Sequence, residues 1–219
     1  ERGDGREPNL ELGVVHQLGH GFGRALVREL AKCPRDLLPD RRIRVTGFVL
    51  ELALYLPEPL TNVTIAGATG NRDEVRIRGG RCAIWANNVN GLTVRDLTIE
   101  GASEHGLILN CAGHAPVVRN VVLRDIGDPF IKANPGPGGC GVDDGVVEDS
   151  LFEYTRGAPD TYTNGVDVHF GARWIIRRNT FRNFVGGGLV GPAVLLWNAS
   201  RDSVVEGNTF TDNVRDISL

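Results

Sequence analysis

Two short segments carry the side chains best suited to chemistry. Ile131-Lys132-Ala133-Asn134 and Val166-Asp167-Val168-His169 share one pattern, in which every second residue is apolar and the others are functional. The functional positions supply an ammonium, an amide, a carboxylate and an imidazole. Proton abstraction next to an acid group needs a base, together with a cation or amide that neutralises that acid. His169 suits the base, because a lysine beside a carboxylate tends to keep its proton. Lys132 is the alternative base, Asn134 could hold the acid group, and Asp167 would tune its neighbour. The plainer reading is an ordinary cross-strand ion pair flanked by exposed amides on a solvated sheet.

A second chemistry would pair Asp167 with Asp143, Asp144 or Asp160 for hydrolysis between two carboxylates. Asp143-Asp144 is also the place where Ca²⁺ could bind, although loop acids are usually just solvated; no metal site is assigned. Other motifs carry less. His16 and His20 have the spacing of a zinc helix but no catalytic Glu, and Gly19 argues for a loop. Asn62-Val-Thr64 and Asn198-Ala-Ser200 fit the glycosylation pattern, yet their place in or beside strands argues against modification. Cys33, Cys82, Cys111 and Cys140 show no CxxC spacing. They permit two disulfides or four buried thiols equally.

The elements that position these residues are repeats. One strand-like line recurs at Leu92–Ile99, Val117–Leu123, Val146–Phe152, Ile175–Phe181 and Val204–Phe210. Its inward stack is Val94, Val118, Val147, Ile176 and Val205, and Asn62-Val-Thr-Ile65 is a weaker first copy. A second line runs Ala83–Asn87, Gly106–Asn110, Phe130–Asn134, Gly165–His169 and Ala193–Trp197. Coils carrying at least two short strands each, repeated along the chain, are the signature of a parallel β-helix. Side chains alternate across a strand, so the outward columns of the second line are Trp85, Ile108, Lys132, Asp167, Leu195 and Asn87, Asn110, Asn134, His169, Trp197. This register puts Lys132 beside Asp167 and Asn134 beside His169, with Trp85 and Trp197 on flanking coils. Aromatic rims around a polar centre are what a sugar-binding groove needs. Asn110, Asp143, Asp144 and Tyr162 are the further polar candidates, the last three from insertions that would wall the cleft.

The NxTI and NTF repeats, ending in GPAVLLWNASRDSVVEGNTF, resemble the right-handed parallel β-helix repeats of the pectate-lyase-like superfamily. The likeness covers roughly residues 20–219. It implies an all-β, single-stranded right-handed solenoid with a short N-terminal capping helix. It implies a carbohydrate-active protein, either a lyase or epimerase on uronate glycans, a glycoside hydrolase, or a non-catalytic glycan-binding or assembly module. The capping helix falls at 21–33, where Phe22, Ala25, Leu26, Leu30 and Cys33 share one face and Pro34 ends the run.

Residues 1–59 form an N-terminal segment and 60–219 the coils. Net charge is −3, with 22 Arg and two Lys, so nucleic acid is a poor partner. The Arg bias reads as genome composition rather than recognition. No apolar run approaches a membrane span. The chain starts at Glu1 and has no Met, which points to a processed or excised protein, and the resemblance implies a secreted or periplasmic one. The last residues begin a coil that does not finish, so missing coils or a partner are expected to cover that end.

Overall fold

Apolar residues that recur at alternate positions make strands, and short strands bury them only by stacking on neighbouring coils. The computed structural model describes residues 41–45, 48–50, 54–56, 59–111, 113–159 and 162–219. Within them the strands form three seven-stranded sheets and one short pair, Leu60–Thr61 with Val89–Asn90, all joined by parallel pairing. The first sheet runs from Arg41–Val45 through Val63–Gly67, Thr93–Arg95, Val117–Arg119, Val146–Glu148 and Ile175–Arg177 to Val204–Glu206. The second runs from Phe48–Leu50 through Arg76–Arg78, Thr98–Glu100, Val122–Arg124, Leu151–Glu153 and Thr180–Arg182 to Thr209–Thr211. The third runs from Leu54–Leu56 through Ile84–Asn87, Leu107–Asn110, Ile131–Asn134, Val166–His169 and Val194–Trp197 to Ile217–Ser218. Each coil gives one strand to each sheet. The chain is an all-β parallel solenoid.

The expected 21–33 helix, Cys33 and the His16–His20 segment lie outside the described residues, as does Asp160. Strands before residue 60 pair directly with the later coils: Arg41–Val45 lies on Val63–Gly67, and Leu54–Leu56 on Ile84–Asn87.

The strand-like line read as one element is two, and the reason is local. Asp96, Asn120, Asp149, Arg178 and Gly207 all have positive φ, between 49° and 60°. A left-handed residue turns the chain from the first sheet into the second, and Asp, Asn and Gly are the types that tolerate it best. Arg178 is the one β-unbranched cation in that column, and its guanidinium is fixed on Asp149 of the coil before.

Inside, the stack Ile65, Val94, Val118, Val147 and Ile176 is buried throughout. Phe152, Phe181 and Phe210 stack face to face, with centroids 4.6 and 5.2 Å apart. Burying one such side chain contributes roughly 1.5–3 kcal/mol, so the column supplies cohesion between coils. Asn179 is buried in a ladder: its Oδ1 accepts from the Ser150 amide at 3.0 Å, and its amide donates to the Val147 carbonyl at 2.9 Å. Asn208 repeats the arrangement one coil later, donating to the Ile176 carbonyl at 2.8 Å. The arginines are not idle either. On the outer face of the second sheet Arg78, Glu100, Arg124, Glu153 and Arg182 alternate in sign from coil to coil, each within ion-pair distance of the next.

Candidate functional site

The third sheet presents the chemistry. Ile131, Ala133, Val166 and Val168 are fully buried in the core, so alternation sends Lys132, Asp167 and His169 to the opposite, outer face. The register sets Lys132 against Asp167, and His169 against Trp197. Asp167 is nevertheless 0% exposed, because it is covered from outside rather than from the core. Lys132 and His169 close over it, and Tyr162, on the stretch entering the Val166 strand, lies across the top.

The contacts are close and mixed. Lys132 Nζ donates to Asp167 Oδ2 at 2.5 Å, and the Tyr162 hydroxyl donates to the same oxygen at 3.2 Å. The ammonium also lies 5.6 Å from the centre of the Tyr162 ring, within cation–π range. His169 Nε2 is 3.0 Å from Lys132 Nζ and 3.0 Å from Asp167 Oδ1. Only the contact with the ammonium is aligned as a hydrogen bond. Among the described residues Asp167 Oδ1 is buried without a hydrogen-bond partner. Where Nε2 accepts from Lys132, the ring proton is carried on Nδ1. There the Asn198 side-chain amide meets it at 3.1 Å, and an amide can present either end.

Burial, and secondarily the Lys132 ammonium, hold the His169 imidazole below its ordinary 6.5, against the opposing pull of Asp167. The ring is neutral near pH 7. Burial and the Asp167 charge push the Tyr162 phenol upward, so it keeps its proton. A neutral imidazole, an ammonium and a protonated phenol thus converge on one carboxylate. Such a set can take a proton, bind an anion and return a proton.

Not every expected residue joins them. Asn134 turns away from His169 and donates to Asn110 Oδ1 at 3.1 Å. Asn110 donates in turn to Asn87, and Asn87 reaches the Tyr55 hydroxyl at 3.3 Å. These amides form a ladder along the sheet, since equal polar groups one rung apart satisfy each other. Trp85 belongs to the far end of that ladder. Its indole N–H donates to Asn87 Oδ1 at 3.1 Å, and its ring meets Tyr55 edge-on at 5.9 Å. One whole coil, Leu107–Asn110, separates it from Lys132. Tyr55 and Trp85, with Leu54, Arg81 and Cys82, line a cavity of about 350 Å³. Trp197 does adjoin the cluster and is 47% exposed.

Asp143 and Asp144 are engaged elsewhere. Arg173 binds Asp144 through Nε at 2.6 Å and Nη2 at 2.8 Å, and reaches Asp143 at 3.3 Å. The Ala172 amide donates to the other Asp143 oxygen at 2.9 Å. The guanidinium beside Asp144 holds its carboxyl below the usual carboxylate range. Among the described residues no three His, Cys, Asp or Glu side chains gather as a metal site would require. No described helix is long and apolar enough to cross a membrane.

One participant, Asn198, and one residue at the far end of the amide ladder, Tyr55, had no role assigned from the sequence. Asn198 stood out only as a glycosylation pattern, yet it follows Trp197 with φ 50° and orients His169. Its signal was a left-handed Asn at the end of a strand beside a histidine rung. Tyr55 lies one rung before Trp85 in the outward column, a position legible once the first strand is aligned. No protein-family model matches the chain, no curated protein is significantly similar, and no solved structure matches.

Proposed function

We propose that the outer face of the third sheet binds a uronate-containing polysaccharide or oligosaccharide and that the protein is a lyase or epimerase acting on it. In this reading the solenoid is a right-handed β-helix of the pectate-lyase-like type, closed by an N-terminal helix, and it works outside the cell or in the periplasm. The uronate carboxylate approaches Lys132, whose ammonium has a third N–H beyond those given to Asp167 and His169. As the ammonium turns to the substrate, Nε2 of His169 is released to take the proton next to the acid group. Elimination then expels the neighbouring glycosidic oxygen, to which the Tyr162 phenol gives a proton, leaving a carbon–carbon double bond. An epimerase would instead return a proton to the opposite face. Trp197 offers a pyranose its exposed indole.

The observation that carries this reading is Asp167: a fully buried carboxylate on an outer face, with one oxygen lacking a hydrogen bond among the described residues, under a neutral imidazole and an ammonium. A surface pair kept only for stability gains nothing from an orphaned oxygen, which costs about 1–3 kcal/mol. Hydrolysis between paired carboxylates has less support, because Arg173 occupies both Asp143 and Asp144, and the third candidate, Asp160, lies outside the described residues. The choice is tested by incubating the protein with a panel of polyuronates. Lyase action yields an unsaturated product that absorbs in the ultraviolet, hydrolysis yields reducing ends without it, and a binding module yields neither. His169→Ala is expected to lower elimination 10²–10⁴-fold, the usual range for a general base. Full activity in both His169→Ala and Lys132→Ala would exclude this site.

A further inference from the structure

Beside the cluster, where the strand that carries Lys132 leaves the sheet, two thiols meet. Cys111 follows directly on the Leu107–Asn110 strand, and Cys140 ends the 3₁₀ turn Pro137–Gly139 on the next coil. Both are half-buried and unbridged. Their sulfurs converge over Gly136. A Cβ placed on that glycine would lie 1.8 Å from Cys111 Sγ and 2.9 Å from Cys140 Sγ. The turn is folded so as to bring Cys140 back: the Gly136 amide donates to the Cys140 carbonyl at 2.9 Å, and the Gly139 amide to the Gly136 carbonyl at 3.1 Å. Gly136 itself is extended, at φ −126° and ψ −168°, so its backbone does not require glycine. The space does. A hydrogen bond to Cys140, followed by burial, pushes the Cys111 thiol up to about 11, in keeping with the contact.

From this placement we infer that Cys111 and Cys140 are a disulfide-forming pair that staples the 135–140 turn to the preceding coil. The partner reagent is a small disulfide or the exposed disulfide of an oxidoreductase. Cys140, as thiolate, attacks one sulfur of that disulfide; its S–S bond breaks and one thiol leaves. Cys111 then gives up its proton and attacks Cys140 Sγ in the mixed disulfide, releasing the second thiol. Two protein thiols are oxidised by two electrons, and one disulfide is reduced to two thiols. The bond closes a loop spanning one coil, which restricts the unfolded chain and fixes the wall beside Asn110 and Asn134.

The test uses the full chain and glutathione disulfide as the probe, followed by alkylation in denaturant and peptide mass mapping. The expected product has Cys111 and Cys140 joined to each other, with a thermal midpoint raised by roughly 5–10 °C. Cys82→Ser is expected to react as the wild type does. Gly136→Ala, which leaves both cysteines present, is expected to close at least tenfold more slowly because its methyl occupies the meeting point. Cys111→Ser is expected to leave Cys140 alkylatable, or as a glutathione adduct, and provides the comparison if Gly136→Ala does not fold. The inference is overturned if both thiols stay alkylatable in the oxidised wild type, if they stop at glutathione adducts, or if the bridge goes to Cys33 or Cys82. An unmoved midpoint in the bridged protein would overturn the stapling role.

Discussion

Glu153 and Asp167 occupy similar positions and are treated oppositely. Each is a buried carboxylate on the outer face of a parallel sheet, with basic residues on neighbouring coils. Glu153 lies between two arginines, Arg124 on Oε1 and Arg182 on Oε2, each through Nε at 2.6 Å. Both of its oxygens are satisfied, and both cations reach water. Asp167 has a single lysine, itself only 13% exposed, and keeps Oδ1 without a hydrogen bond. Arginine forks fit carboxylates edge to edge and close the ladder on itself, whereas a lysine is a point charge with a donor to spare. The second sheet uses charge to hold coils together. The third leaves charge incompletely matched, and an incompletely matched buried group is where a ligand can gain.

The comparison is broken most strongly at Lys132. Lys132→Met strands a fully buried carboxylate and is expected to cost about 3–5 kcal/mol in urea unfolding. The double change Lys132→Met with Asp167→Leu is expected to recover most of that loss, since an apolar pair replaces a buried ionic one. If the single variant unfolds like the wild type, the pair is as solvated as any surface bridge. Glu153→Gln is expected to cost less, roughly 1–3 kcal/mol, because Arg124 and Arg182 can turn to water when one contact weakens. Asn179→Ala belongs to the same range: it orphans the Ser150 amide and the Val147 carbonyl, and urea midpoints measure it against Glu153→Gln. Arg173→Ala sits at the small end, within about 1 kcal/mol, as half-exposed ion pairs usually do.

How legible was this in the chain? The coils were, because inward Val, Ile and Phe recur at near-constant steps and leave one period to read. The outward phase of Lys132, Asp167 and His169 followed from the same alternation and is what the structure shows. Contacts made by flexible ends were less legible. Asn134 prefers the amide one rung back to the imidazole one rung on, and strand spacing alone cannot choose between them. Loop geometry was legible only in part: Tyr162, expected on the cleft wall, lies over Asp167, while Asp143 and Asp144, expected there too, turn to an arginine whose partner no repeat marks. The division of the long strand at Asp96 and its counterparts was visible in the Asp/Asn/Gly column, which reads as a turn only when aligned vertically.

The central claim is that His169 works as a neutral base over Asp167, and its pH profile tests this most directly. With its folded pKa held below the ordinary 6.5, His169 binds its proton later on acidification than the unfolded chain does. The stability it contributes is complete above 6.5 and is lost as pH falls from there through the lowered value. The rate of ultraviolet-absorbing product formation from a polyuronate is therefore expected to stay flat from pH 8 to below 6.5 and to fall only at lower pH. That limb should vanish with activity in His169→Ala and persist in Glu153→Gln. A limb at or above 6.5, or turnover undiminished without the imidazole, would contradict the account.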